Sequence, residues 1–184
     1  MTRAGFLAIF AAATVVAPIS SCAFDPVHQS DVDALGPERS GVPRGPYHRA
    51  GQACTVCHGP EGPAQRQFVL AGTVFSSRDQ SVGLDQAEIL MVDSLGSSPP
   101  MSILTNCVGN FFITADTWNP AFPVRVAVAS GQTSSLMLGH VGRAGSCATC
   151  HKEPRGLDSP GHVFIGAMPA AQPNCPVNPV LGAP

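Results

Sequence analysis

Two five-residue strings in this chain join a pair of thiols to an imidazole: Cys54-Thr55-Val56-Cys57-His58 and Cys147-Ala148-Thr149-Cys150-His151. Two cysteines separated by two residues can form thioethers with the two vinyl groups on one edge of a porphyrin. The histidine that follows then falls under the iron as its proximal ligand. The pattern is the attachment signature of haem c. Two other chemistries compete. A C-x-x-C pair in an exported chain can act as a redox dithiol, and two such pairs can share one zinc ion when roughly 15–20 residues separate them. Here Cys57 and Cys147 stand about 90 positions apart. With six histidines in 184 residues, a histidine follows both pairs by chance about once in a thousand. The reading is two covalent haems c, one on Cys54, Cys57 and His58, the other on Cys147, Cys150 and His151.

A haem iron takes a sixth ligand unless its site binds a small molecule, and histidine or methionine is the usual choice. A short internal echo supplies two candidates. His48-Arg49-Ala50-Gly51 precedes the first cysteine pair, and His140-Val141-Gly142-Arg143-Ala144-Gly145 precedes the second. His48 and His140 are therefore the expected distal ligands, each for its own iron or for the other. His162 is the next candidate, with Met137 and Met168 behind it, because methionine more often fills cores. His28 lies in a polar stretch, Asp25 to Pro46, that reads as a tether.

Seven cysteines leave three outside the motifs. Met1-Thr2-Arg3 and the apolar run Gly5 to Val16 read as a secretory signal, too short for a comfortable membrane span. Ile19-Ser20-Ser21-Cys22 resembles a bacterial lipobox, which implies lipidation at Cys22 and an envelope protein anchored by acyl chains. A retained anchor helix is the alternative to the signal, and ordinary cleavage nearby, with Cys22 free or paired, is the alternative to the lipobox. With Cys22 assigned to lipid, Cys107 and Cys175 remain to close a disulfide in an oxidising compartment.

The elements that must hold these groups read as mainly β. Gly 19 and Pro 18 and a charged content of 12 % point to many turns. The net charge of −2, with Lys152 the only lysine, leaves no basic footprint for nucleic acid. Gln67–Phe75 is rich in strand formers, with Gly72 as a possible bulge. Glu88–Asp93 is a second short run. Ser102–Thr105 and Asn110–Ile113 read as a hairpin with glycine in the connection. Val124, Val126 and Val128 alternate onto one face. The organisation expected is a signal peptide 1–21, a tether 22–46, a first haem segment 47–66, a small antiparallel β-sandwich 67–139, a second haem segment 140–168 and a tail 169–184. Asp85, Glu88, Asp93 and Asp116 read as solvated turns and strand ends, and Ser97-Ser98 has no evident base.

The order Ala71-Gly72-Thr73-Val74, Thr105-Asn106 with Gly109-Asn110-Phe111, then Phe122-Pro123-Val124 resembles the carboxypeptidase regulatory-like (transthyretin-like) sandwich over about 65 residues. Cys107 and the Pro99-Pro100 pair depart from it. Through its two C-x-x-C-H motifs the chain also resembles small multihaem c-type cytochromes. Together these imply an electron-transfer dihaem protein rather than an enzyme, lipid-anchored at the outer membrane on its periplasmic or cell-surface face. Redox proteins or extracellular acceptors are the implied partners. A haem enzyme or sensor with one open iron, acting on peroxide or nitrogen oxides, is the second reading. An envelope binding or assembly module with accessory haems is the third. Because both motifs flank one sandwich, and domain ends often lie together, the two haems are expected to be close.

Overall fold

The computed structural model describes residues 25–78, 82–166 and 174–177. Cys22, Met168 and the signal segment lie outside them. The fold is mainly β, with six strands in two antiparallel sheets. Strand β1 (Leu70–Thr73) pairs with β4 (Asn110–Ile113). The larger sheet has the order β3-β2-β5-β6, from β3 (Met101–Leu104), β2 (Glu88–Asp93), β5 (Val124–Ser130) and β6 (Thr133–Leu136). The sheets pack through one core, Leu70, Phe111 and Ile113 against Ile89, Met91, Val124, Val126 and Val128. This is the expected sandwich-like architecture, and the three alternating valines of β5 face inward as the period of two requires.

Two strand-level expectations are corrected. Ser102–Thr105 and Asn110–Ile113 do not form a hairpin: β3 pairs with β2, and β4 with β1 in the other sheet. The turn between them redirects the chain instead. Asn106 Oδ1 accepts from the N–H groups of Val108 and Asn110, each at 3.1 Å, and Gly109 takes φ +80°, a left-handed conformation that favours glycine. Nor is Gly72 a bulge, since it pairs in unbroken register with Phe111. Its missing side chain makes room: a Cβ there would stand 2.6 Å from Cys147 Sγ and 3.0 Å from the Phe111 ring. A tight hairpin joins β5 to β6 across Gly131-Gln132, with Gly131 at φ +58°, a two-residue turn of the kind antiparallel strands favour.

Two further readings change. Asp93 is not a solvated strand end; it is 2 % exposed. Its carboxylate accepts from the Ser97 hydroxyl and from the N–H groups of Leu95, Ser98 and Ala121. The Ser97 hydroxyl foremost, then those three N–H groups, lower its pKa to about 2 against the opposing effect of burial. Ser97 thus serves a turn. The polar stretch read as a tether carries helix α1 (Pro26–Ala34), capped by the Asp25 carboxylate. Arg49 and Gln52 fasten the end of that helix by donating to the Leu35 and Gly36 carbonyls.

Cys107 and Cys175 are joined as a disulfide, with their Cα atoms 5.7 Å apart. It ties the C-terminal segment to the turn beside Asn106. Closing a loop of sequence separation 68 contributes about 4 kcal/mol in the chain-entropy model.

Candidate functional site: two C-x-x-C-H motifs on one strand

Each motif is wound into a short helical turn, α2 (Cys54–His58) and a 3-10 turn over Cys147–Thr149. Such a turn puts both cysteines and the histidine on one side. Both turns dock on β1, and the internal echo explains how. Gly51 donates its N–H to Thr73 Oγ1 at 2.7 Å, and the Gly145 carbonyl accepts from Ala71 N at 2.8 Å. The two echoed glycines therefore grip residues two apart on the same strand. Both have positive φ, +82° and +62°, and a Cβ on Gly145 would run into the Val69 carbonyl. The motif segments also touch each other directly: Thr55 Oγ1 donates to the Ala144 carbonyl at 2.6 Å.

Burial pushes the Cys147 thiol up to about 12, with the nearby Cys54 adding to it, and burial likewise pushes Cys54 up to about 11. Thiols held this way resist ionisation. Among the described residues no three or more His, Cys, Asp or Glu side chains group to hold a metal ion.

The motif histidines share one feature. His58 Nδ1 bonds the Arg66 carbonyl at 2.7 Å and His151 Nδ1 bonds the Gly161 carbonyl at 2.9 Å. Each bond makes Nδ1 the protonated nitrogen, which leaves Nε2 with a free lone pair to face a metal. His58 also stacks on Phe68 at 4.2 Å, and Phe68 on Phe112 at 4.8 Å.

Each motif opens on a cavity. One of about 630 Å³ is lined by Cys54, Cys57, His58, His48, Arg44 and Arg66 among others. The other, of about 660 Å³, is lined by Cys147, Cys150, His151, His140, His162 and Arg155 among others. Both volumes fall in the range of roughly 300–1,000 Å³ typical of small-molecule and cofactor sites. Phe111, 3 % exposed, lines both and forms their shared wall.

All three distal candidates reach a cavity, in unequal ways. His48 is half-buried, its ring centroid 5.8 Å from that of His58, and its Nδ1 is bonded to the Gly45 carbonyl. Both imidazoles line the same cavity, so His48 and His58 are the two side chains that would hold an iron there. His140 is exposed, on the rim of the second cavity. His162 stacks on Phe75 at 4.4 Å. Its pKa is lowered first by burial, with Glu153 opposing and His151 assisting. Met137 also lines the second cavity. His28 lines neither, and its Nε2 is buried with no hydrogen-bond partner among the described residues.

Sequence reasoning missed the residues that hold these loops from behind. Ser159, 4 % exposed, accepts from Lys152 N and Gly161 N and points its hydroxyl at the Cys150 and Lys152 carbonyls. Thr73 and Asn110 brace the other loop. Only a Thr or Asn inside an apolar strand run hinted at them. No protein-family model matches the chain, no curated protein matches it, and no solved structure matches it.

Proposed function

We propose that this chain is an electron-transfer protein of the bacterial envelope, exported, lipid-anchored through Cys22, and carrying two covalent haems c. The observation that carries the reading is the pair of C-x-x-C-H turns docked side by side on β1. Each histidine there has its Nδ1 tied to a backbone carbonyl and a cofactor-sized cavity at its side. Bound haem iron supplies a one-electron ferric/ferrous couple.

The residues have separate tasks in this reading. Cys54, Cys57, Cys147 and Cys150 anchor, while His58 and His151 present Nε2 from the proximal side. His48 closes the first site from the opposite side, supported by its 5.8 Å separation from His58. His140 closes the second. Gly161 sits behind the His151 ring, at Nδ1, so its neighbour His162 belongs to the proximal side and is the poorer candidate. The contact of Thr55 with Ala144 and the shared Phe111 wall support two haems near enough for direct electron exchange. Redox proteins or extracellular acceptors are the proposed partners. No helix among the described residues is long and apolar enough to cross a membrane.

The test is ligand spectroscopy on the mature protein made with a haem c maturation system. Two low-spin irons, inert to carbon monoxide when reduced, are expected of a dedicated carrier. One high-spin iron that takes up carbon monoxide would move the assignment to a haem enzyme or sensor. The exposed setting of His140 makes the second site the place to look.

A further inference from the structure

We infer that Thr73 and Asn110 are positioning residues for His48, a buried polar brace that holds the loop of the first distal imidazole against the sandwich. The inference rests on the reading of His48 as an iron ligand. Asn110 is 7 % exposed and Thr73 is 5 % exposed, and they are paired across the two strands of the smaller sheet. Their polar groups are used in one direction only. Thr73 Oγ1 donates to Asn110 Oδ1 at 2.7 Å and accepts from Gly51 N. Asn110 Nδ2 donates to the Pro46 and His48 carbonyls at 3.2 and 3.1 Å. Asn106 Nδ2 adds a third bond, to the Pro46 carbonyl at 2.7 Å. Every one of these bonds to the loop lands within three residues of His48.

The loop needs such a hold. Arg49, next to His48, has φ +52°, a left-handed conformation uncommon for a residue with a side chain and kept only where surrounding bonds enforce it. From the far side Arg49 Nη2 donates to the Gly36 carbonyl at 2.9 Å, and Nη1 to Gln52 Oε1 at 2.8 Å. The turn is thus fixed from both flanks, and the His48 ring is held again at Nδ1 by the Gly45 backbone. Its ring centroid lies 5.8 Å from that of His58. A core asparagine that merely satisfied itself would need no such convergence. Its cost is justified by the geometry it imposes on a ligand that must stay within bonding distance.

The experiment uses the full mature protein with both haems, reduced and mixed with carbon monoxide. His48→Gly marks the iron concerned: one of the two irons becomes high-spin and binds carbon monoxide at once, and added imidazole restores it. Thr73→Val keeps the shape and removes the hydroxyl, Asn110→Leu removes the amide, and Thr73→Ser restores the hydroxyl. With the brace cut, carbon monoxide capture at the iron marked by His48→Gly is expected to rise roughly tenfold, while Thr73→Ser stays at the wild-type rate. Should Asn110→Leu fail to accumulate, the Thr73 pair decides alone. If His48→Gly opens an iron but Thr73→Val and Asn110→Leu capture carbon monoxide at the wild-type rate, the brace is overturned and the ligation stands, even where their melting temperatures fall. If His48→Gly leaves both irons low-spin, the ligation itself is overturned and the brace with it.

Discussion

The two C-x-x-C-H segments are built from one echoed string and docked on one strand, yet they are held from opposite sides. In the first, the buried polar brace is Asn110, and it grips the loop before the motif, where His48 lies. In the second, the buried polar brace is Ser159, and it grips the loop after the motif, where His151 finds the Gly161 carbonyl. The loop before the second motif has His140 exposed. Two like motifs are therefore combined with unequal hold on the histidines that precede them. In the proposed reading the first haem has a fixed distal ligand and the second a ligand freer to leave.

The strongest way to break this contrast is through the disulfide. Replacing Cys107 and Cys175 by serine should cost about 4 kcal/mol, read as a lowered midpoint in urea. Because Cys107 adjoins Asn106, backbone hydrogen exchange should rise more around residues 45–52 than around 150–161. Equal loosening of both segments would count against the asymmetry.

Next comes Gly72, whose added side chain would meet Cys147 Sγ and Cβ at 2.6 and 2.9 Å. Gly72→Val is expected to destabilise by about 1–3 kcal/mol and to loosen the second motif from β1. A melting temperature unchanged by Gly72→Val would show that the docking is not as tight as these distances imply. Ser159→Ala should cost about 1–3 kcal/mol, since Lys152 N and Gly161 N lose their acceptor. Its effect should show as faster exchange at residues 150–161 with residues 45–52 unaffected.

The smallest effect belongs to Asp93, which bonds to neither motif segment, and serves as a control. Asp93 has a folded pKa of about 2 against an ordinary 3.8. Between those values the unfolded chain binds more protons, so the stabilisation is present above about 4 and is lost as pH falls toward 2. Asp93→Asn should flatten the pH dependence of the melting temperature in that window. A slope unchanged by the substitution would place the acid sensitivity elsewhere.

Much of this was legible in the sequence. The paired cysteines and the inward valines of β5 follow from spacing and period, which act locally, and the Cys107–Cys175 bond follows from elimination once Cys22 is set aside. What escaped depends on which sheet a strand joins. Thr105-Asn106-Cys107-Val108-Gly109 has the composition of a hairpin turn, but its asparagine bonds send β4 to the other sheet, and no local pattern encodes that choice. Gly72 looked like a bulge because the cysteine that needs its space lies 75 positions away. Asp93 looked solvated because carboxylates usually are, and only the fold brings Ala121 N to it. Thr73 and Asn110 were invisible as a pair until β1 and β4 were known to be partners.

The most direct measurement is the intact mass of the mature chain after denaturation, with and without disruption of each cysteine pair. Two haem increments should survive denaturation, and one should disappear with Cys54→Ser/Cys57→Ser or with Cys147→Ser/Cys150→Ser. A mature chain carrying no haem increment would contradict the proposed function at its root.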